Sequence, residues 1–286
     1  MSTSERVLRA YPNARQAPAA YAGRTQNLDV GFLIGLAIAA AAAIAGMAST
    51  GVGIGYFLQP TGALIVLGGT LGVTFLTTPG RSLLNAAQRL RGLFFAQSTD
   101  REALIEEILF YAKEVRRRPL LGLEQEIRKI RNGFLREALL LAIDVRNRAE
   151  LQAALEIEIR LRERQGDADA KVFEVAGGFA PTLGILGTVL GLVDLLRQFS
   201  NVQAVGAGIG LAFVSTLYGL GLANLVLLPA AHRIRARVAE SFEIHELIVE
   251  GVICVFDQVH PYLVRHRLGA FLHHRERAAL AAAQVV

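Results

Sequence analysis

One long apolar run, residues 173–231, constrains the fold of this chain more than any other stretch. The charged residues within the run are Glu174, Asp194 and Arg197. Because a membrane-spanning helix needs roughly 20 apolar residues, the run is too long for one crossing and fits two. The polar cluster at residues 197–203 predicts the turn between them. We therefore predict a helical hairpin of residues 173–199 and 204–231.

Small residues are frequent in both arms of this hairpin. The glycines that we expect to pack closely are Gly184, Gly187, Gly191, Gly206, Gly208, Gly210, Gly219 and Gly221. Since lipid gives apolar helices no hydrophobic reason to associate, close approach of backbones at small residues is what holds such helices together. We expect the hairpin to be buried among other helices.

Three hydroxyls lie at an informative depth in the hairpin. Thr188 lies 11 residues before Phe199, and Thr216 lies 12 residues after Ala204. At about 1.5 Å per residue, both lie roughly 17 Å from the same face of the membrane. Either threonine alone fits a bond to its own helix backbone. Two at one depth, with Ser215 beside Thr216, favour a hydrated polar ring instead.

No Asp, Glu, His or Lys lies near the middle of the hairpin, where ion relays in membranes usually place one. If ions pass here, another chain must supply the titrating group. A mean hydropathy of +0.39 fits a membrane protein. The pI of about 9.7 could indicate nucleic acid, but membrane topology explains the basic excess better, so we expect no nucleic-acid partner.

A second apolar region, residues 30–80, contains no Lys, Arg, Asp or Glu and fits two further crossings. Basic residues flank it on both sides, which places both flanks and both chain termini in the cytoplasm. The predicted fold class is all-α, with four transmembrane helices in two hairpins, an inserted helical cytoplasmic domain and a cytoplasmic C-terminal helical extension. The predicted segments are a cytoplasmic N-terminal tail (1–29), transmembrane helices one and two (30–80), the cytoplasmic domain (81–171), transmembrane helices three and four (172–231) and a basic helical tail (232–286).

Helical spacing and capping residues divide the cytoplasmic domain into four predicted helices, and no strand pattern is evident in it. A capping box at residues 99–102 begins the first helix, which ends near residues 116–119. Asn132-Gly133 stops a second helix, residues 134–145 form a third, and Asn147 caps a fourth. In the C-terminal tail, residues 265–267 and 273–275 form a basic face for solvent or lipid headgroups.

The sequence contains no motif that indicates catalysis. It has no nucleotide-binding glycine loop and no HExxH. The His273-His274 pair has no acidic or cysteine partner at metal-binding spacing. We therefore expect no enzymatic activity, no metal site and no cofactor, and interpret the chain as a transducer or part of a channel.

Four motifs resemble the MotA/PomA flagellar stator family, within the MotA/TolQ/ExbB superfamily. They are LQPT at 58–61, LIVLGGT at 64–70, APTLGILGT at 180–188 and TLYGLGLAN at 216–224. The resemblance covers about residues 28–260. Related ExbB and TolQ proteins have one membrane helix before the cytoplasmic domain, so two such helices favour MotA.

This resemblance implies a homopentamer in the bacterial inner membrane around two single-span MotB/PomB-like chains, whose membrane aspartate carries a proton or a sodium ion. It implies that Thr188 and Thr216 face the ion pathway, where Ser215 lies beside them. Pro181 and Pro229 match the family's functional prolines, which implies conformational coupling. Pro229 also fits a simple helix bend.

The resemblance further implies that an arginine, followed eight residues later by a glutamate, contacts the rotor protein FliG. Arg116 and Glu124 match this pattern, and Arg117 and Arg118 leave the register open. Pro119 lies between the two charges, so they need not share a helix. Exposed Arg and Glu side chains also commonly provide only solubility and weak ion pairs.

Two functions of different class remain from the sequence. The first is an ion-driven flagellar stator subunit; the second is a non-flagellar membrane motor, or a scaffold or signalling subunit, for example in anti-phage defence. A neighbouring gene for a single-span protein with a membrane Asp and a peptidoglycan-binding domain would favour the first. A neighbouring gene for a long coiled coil or a nuclease would favour the second.

Overall fold

The computed structural model of the chain describes residues 25–28, 30–49, 51, 53–92, 95–98, 100–197 and 202–272. Most of the predicted N-terminal tail and the basic residues 273–275 lie outside the described ranges. The chain divides into two compact units. Among the described residues, the apolar unit comprises those within Asn27–Ala96 and Arg164–Val238, and the charged unit comprises those within 25–26, Gln97–Glu163 and 239–272.

The predicted all-α class is confirmed, because helices form nearly all of the described chain. In chain order they are α1 (Val30–Ser49), α2 (Pro60–Thr77), α3 (Gly80–Gly92), α4 (Arg101–Glu114), α5 (Glu124–Ile127), α6 (Gly133–Asp144), α7 (Arg148–Arg197), α8 (Val202–Gly221), α9 (Leu228–Phe256) and α10 (Pro261–Leu268). Short 3-10 turns occupy Ile54–Phe57, Leu120–Leu123 and Gly269–Phe271.

Two short strands pair in a small sheet that the sequence pattern did not predict. They are β1 (Thr25–Leu28) and β2 (Phe95–Ser98). Each has four residues, which give little alternation of polar and apolar side chains to detect.

Three helices among the described residues are long and apolar enough to cross a membrane. They are α2, α7 and the continuous helix Val205–Phe256, in which α8 runs into α9. In α1 the apolar stretch is shorter, Leu33–Ser49. Helix α7 ends at Arg197 and α8 begins at Val202, which matches the turn predicted from the polar cluster.

Two turns of π-helix interrupt the apolar helices. One occupies Leu64–Gly68 within α2, and the other occupies Leu222–Leu227 between α8 and α9. Such turns bond each carbonyl to the fifth residue onward and are frequent at functional sites. The second ends just before Pro229, near the start of α9, and proline has no N–H to donate. The sequence predicted continuous helices at both places.

Helices α7 and α8 pack with their backbones in contact. A Cβ placed on Gly184 would lie 3.0 Å from the carbonyl oxygen of Ser215, and one on Gly219 would lie 2.6 Å from that of Ala180. These distances confirm the predicted close approach at glycine. The hairpin glycines whose Cβ would meet nothing within 4 Å are Gly178, Gly206 and Gly221.

The core of the charged unit forms from apolar side chains of several helices. Its α4 members are Leu104, Ile105, Ile108, Leu109 and Ala112, with Val115 just after the helix. Its α9 members include Leu247, Ile248, Val252, Ile253 and Val255. A Cβ placed on Gly251 would lie 2.8 Å from Cδ1 of Ile108, so α4 and α9 are in close contact.

Two helix boundaries differ from the predicted ones. Asp100 caps α4 by accepting a hydrogen bond from the N–H of Ala103 at 3.0 Å, so the cap is one residue later than the capping box at 99–102 implied. Asn132 does not stop a helix. Its side chain caps the start of α6 by accepting from the N–H of Leu135 at 3.0 Å. Asparagine is common both at helix starts and just after helix ends. The sequence alone therefore did not show whether Asn132 ends one helix or begins the next.

Helix α10 folds onto the charged unit through both apolar and charged side chains. Its buried side chains are Val264 and Leu268. Arg265 pairs with Glu106 of α4, and Arg267 pairs with Glu250 of α9 at 3.2 Å. Within the predicted basic face for solvent or lipid headgroups, Arg265 and Arg267 therefore have carboxylate partners in the same chain.

The acidic side chain of Glu107 is buried inside the charged unit. Glu107 of α4 is only 7% exposed, and its Oε2 atom has no hydrogen-bond partner among the described residues. Burial disfavours the charged form and raises the pKa of this carboxyl to about 7.

Replacing Glu107 by glutamine is expected to stabilise the chain at about pH 8 and to change its stability little at about pH 4. The folded-state pKa of about 7 lies above the ordinary value of 4.5, so the folded state binds more protons between these values. The carboxyl's contribution to stability is therefore complete below pH 4.5 and is lost as the pH rises through 7.

At about pH 8 the substitution should raise the free energy of unfolding by about 3 kcal/mol, because each unit of pKa difference corresponds to about 1.4 kcal/mol. Thermal unfolding of the purified chain, followed by circular dichroism across this pH range, would measure the gain. A gain of equal size at every pH would contradict a titrating Glu107.

Candidate functional site

A pair of threonine hydroxyls forms the candidate site where α7 and α8 face each other. The Oγ1 atoms of Thr188 and Thr216 lie 2.6 Å apart, in a hydrogen bond that either can donate. The Thr188 Oγ1 atom also lies 3.0 Å from the carbonyl oxygen of Ala212 and 3.2 Å from that of Gly184. The Thr216 Oγ1 atom lies 3.5 Å from the Ala212 carbonyl oxygen. Both side chains are half-buried.

Glycine on α7 makes this contact possible. A Cβ placed on Gly184, one turn before Thr188, would lie 3.3 Å from the Cα of Thr216. A larger residue there would push α8 away. Within the pair one hydroxyl donates to the other, and the second can donate to a backbone carbonyl. Lone pairs on the hydroxyl oxygens then remain to accept a water or a cation.

The hydroxyl of Ser215 lies apart from this pair. The Ser215 side chain is fully buried, and its Oγ atom has no hydrogen-bond partner among the described residues. A Cβ on Gly62 would lie 2.8 Å from this oxygen, and one on Gly187 would lie 2.7 Å from it. Ser215 therefore marks the place where α2, α7 and α8 meet. Consecutive helical residues point about 100° apart, which separates it from the hydroxyl of Thr216.

The two prolines lie in regions that contact each other. Pro181 is inside α7, and Pro229 is the second residue of α9. A proline has no N–H to donate to the carbonyl four residues earlier, so helices bend more readily at these positions. A Cβ on Gly177, one turn before Pro181, would lie 2.8 Å from Cδ2 of Leu228. A bend of α7 at Pro181 would therefore displace the start of α9, where Pro229 lies.

Tyr218 anchors the start of α2, a role that was not predicted from the sequence. Its hydroxyl accepts from the backbone N–H of Gln59 at 3.2 Å and donates to the carbonyl of Phe57. The available signal was an aromatic hydroxyl inside an apolar helix, which needs a polar partner when buried. This contact holds α2 against α8 two residues beyond Thr216.

The threonine pair has no carboxylate close to it in the hairpin sequence. The acids between residues 173 and 231 are Glu174 and Asp194, which lie 14 and 6 residues from Thr188. Glu174 is bound by Arg235, with Nη2 and Oε2 2.7 Å apart. The pair can therefore offer oxygen ligands and hydrogen bonds, but the hairpin sequence supplies no adjacent titrating group.

A second candidate surface lies in the charged unit, in the loop between α4 and α5. Arg116 and Arg117 are exposed there. Nη1 of Arg117 lies 3.6 Å from Oε1 of Glu114, which is a long ion pair. No hydrogen bond or ion pair of Arg116 is found within the described ranges. Pro119 separates these arginines from α5, so Arg116 and Glu124 lie on different elements.

Arg118 holds this loop in place. Its Nε atom lies 3.2 Å from Glu114, its Nη1 atom 3.5 Å from the carbonyl oxygen of Gly122, and its Nη2 atom 3.1 Å from Glu126. Glu124 accepts from Arg128 at 2.6 Å. The spacing of Glu124 and Arg128 by four residues was the sequence signal for this ion pair.

Comparison with known proteins identifies relatives over most of the chain. Residues 126–246 match the family described as the MotA/TolQ/ExbB proton channel family. The chain is 31% identical to the uncharacterized protein YtxD of Bacillus subtilis (strain 168), over 86% of this chain and 90% of the relative. It is 30% identical to the chemotaxis protein PomA of Vibrio alginolyticus, over 88% of this chain and 98% of the relative.

Solved structures share the fold. The flagellar MotAB stator complex from Bacillus subtilis matches with a TM-score of 0.81 and 29% identity, over 87% of this chain and 98% of that chain. The MotAB structure of C. jejuni matches with a TM-score of 0.81 and 25% identity, over 86% of this chain and 97% of that chain.

These matches confirm the resemblance drawn from the four sequence motifs. The family consists of channel-type stator subunits and is not known for enzymes. Together with the three apolar helices, it makes this an inner-membrane protein. The chain belongs to the MotA/PomA family of flagellar motor stator subunits.

Proposed function

We propose that this chain is an ion-driven stator subunit that forms a pentamer around a MotB/PomB-like single-span partner and converts proton or sodium flow into torque. The observation that carries the proposal is the Thr188–Thr216 hydroxyl pair, with 2.6 Å between its oxygens and no neighbouring carboxylate in the hairpin sequence. A related structure is a MotAB stator complex, which supports a second chain as the source of the acid.

In this mechanism the partner's membrane carboxylate binds the ion beside the threonine pair. Hydroxyl and carbonyl oxygens can coordinate sodium or order water for a proton, so the pair suits either ion. Ser215 supplies a further hydroxyl apart from the pair, buried at the junction of α2, α7 and α8. Loading and release of the ion change the charge beside the pair. Pro181 and Pro229, where helix hydrogen bonds are missing, let α7 and α9 bend in response.

The proposed topology has four membrane crossings with both termini in the cytoplasm. The absence of Lys, Arg, Asp and Glu from residues 30–80, and the basic residues on both sides of that region, support it. The charged unit then lies in the cytoplasm, where it can reach a rotor.

We propose that the loop between α4 and α5 contacts the rotor protein FliG. Arg116 and Arg117 are the candidates on the basic side, because Arg118 is occupied by two carboxylates within the chain. Glu124 is 38% exposed and already paired with Arg128. We therefore expect its contribution to be smaller than that of the arginines.

The chain alone is expected to assemble but to conduct no ions, because its hairpin has close-packing faces and no titrating group near the threonine pair. Ion flux should be measured in liposomes holding the chain alone and in liposomes holding the chain with its co-expressed single-span partner. Flux through the chain alone at the level of the complex would contradict the proposal.

Reversing Arg116 to glutamate is expected to reduce torque more than Arg116→Ala, since repulsion replaces attraction. The effect of a single neutralisation should be partial, because exposed charges are screened over about 8 Å at physiological salt and Arg117 remains. Reversal of the facing charge on the rotor should restore motion. Torque from tethered beads would measure both. Unchanged torque for Arg116→Glu and Glu124→Lys, with normal expression, would mean that the rotor contact lies elsewhere.

A further inference from the structure

The loop proposed to contact the rotor also exposes a large apolar side chain. Leu121, in the 3-10 turn Leu120–Leu123, is 65% exposed. Its neighbour Leu123 is fully buried in the core of the charged unit. The turn is therefore anchored on one side while Leu121 is presented on the other.

The exposure of Leu121 does not come from a loosely held loop. Arg118 connects the end of α4, the turn and α5, through Glu114, the carbonyl of Gly122 and Glu126. A side chain held this way loses little further backbone freedom on binding, which lowers the cost of association.

Charges border Leu121 on both sides along the chain. Arg116 and Arg117 precede it, and the Glu124–Arg128 pair follows it. Protein interfaces commonly place an apolar anchor at the centre, where it is desolvated, and charges at the rim, where they set orientation and association rate.

We infer that Leu121 is the apolar anchor of this contact, and that its partner presents an apolar depression bordered by carboxylates facing Arg116 and Arg117. The inference rests on the proposed function in one respect: the partner is the rotor protein. It adds that affinity comes from burial of Leu121, while the arginines mainly orient the two surfaces.

The inference can be tested by binding of purified FliG to the stator complex in lipid nanodiscs, at low and at high salt. Leu121→Ser should weaken binding roughly 5- to 30-fold at both salt concentrations, because loss of an apolar contact is not screened. Leu121→Met should keep most of the affinity. Arg116→Glu should weaken binding mainly at low salt.

Leu161→Ser is the matched control, because Leu161 is 59% exposed on α7 in the same unit. It should bind like the original chain. Ion flux through liposomes should be unchanged for Leu121→Ser, which separates a lost rotor contact from a failed channel.

Wild-type affinity of Leu121→Ser at both salt concentrations, with weakened Arg116→Glu, would overturn the anchor and leave the proposed function standing. An equal loss for Leu121→Ser and Leu161→Ser would also overturn it. Absence of binding by the unmodified complex, or normal binding by every loop variant, would remove both the anchor and the proposed rotor surface.

Discussion

Replacing Gly219 by alanine is expected to force α7 and α8 apart and to destabilise the assembled complex. The new Cβ would lie 2.6 Å from the carbonyl oxygen of Ala180 and 3.0 Å from the Cα of Gly184. Both are backbone atoms and cannot rotate away. Overpacking costs about 1–3 kcal/mol, whereas alanine gains about 1 kcal/mol over glycine in a helix. The midpoint of thermal unfolding should fall by roughly 2–4 °C.

Gly221→Ala provides the control for this experiment. Gly221 lies two residues further along the same helix, and a Cβ placed on it would meet nothing within 4 Å. Its complex should melt at the original temperature or slightly above. Ion flux should fall only for Gly219→Ala, because Thr216 lies one turn before that position. Equal melting of the two variants would mean that backbone contact does not hold this hairpin.

The contrast between Gly219 and Gly221 shows which features of the fold could be predicted from the sequence and which could not. Apolar length and one polar cluster predicted the hairpin, because lipid demands helices of a given length and a turn needs polar residues. Glycine content predicted close packing but not which glycines take part. That choice depends on the rotation of each helix about its axis, which hydropathy does not report.

The hydroxyls of Ser215 and Thr216 on α8 show the same limit, because the sequence does not report the direction in which a side chain points. Depth along the helix predicted that Thr188 and Thr216 are level, and their oxygens lie 2.6 Å apart. Depth could not separate Thr216 from Ser215, which differ by one residue in height and by about 100° in direction. Ser215 consequently lies between Gly62 and Gly187 rather than in the pair.

In the charged unit the sequence predicted helices, but it did not predict the ion pairs that join different elements. Helical spacing identifies apolar faces because the period of 3.6 residues is local. The bridge from Arg118 to Glu126 crosses Pro119 and a 3-10 turn, so no regular spacing indicated it. Because Arg118 is held by Glu114 and Glu126, the structure leaves Arg116 and Arg117 as the candidates for a rotor contact.

Thr188→Val is expected to lower ion flux through the complex on the order of tenfold or more, which corresponds to about 1.4 kcal/mol in the barrier. Valine keeps the shape of threonine but removes the hydroxyl that bonds Thr216 and reaches the carbonyl of Ala212. Thr216→Val should act similarly. Because the two hydroxyls share one hydrogen bond, the double variant should lose little more than either single variant.

Thr182→Val is the control that separates an ion-pathway role from a structural one. Thr182 lies on the same helix, and its hydroxyl donates to the carbonyl of Phe179 in its own helix at 2.7 Å. It should conduct normally, and Thr188→Ser should retain most of the flux. Flux driven by sodium and by proton gradients, measured separately in liposomes, would identify the ion. Normal flux in Thr188→Val and Thr216→Val would mean that both hydroxyls only stabilise the helix backbone.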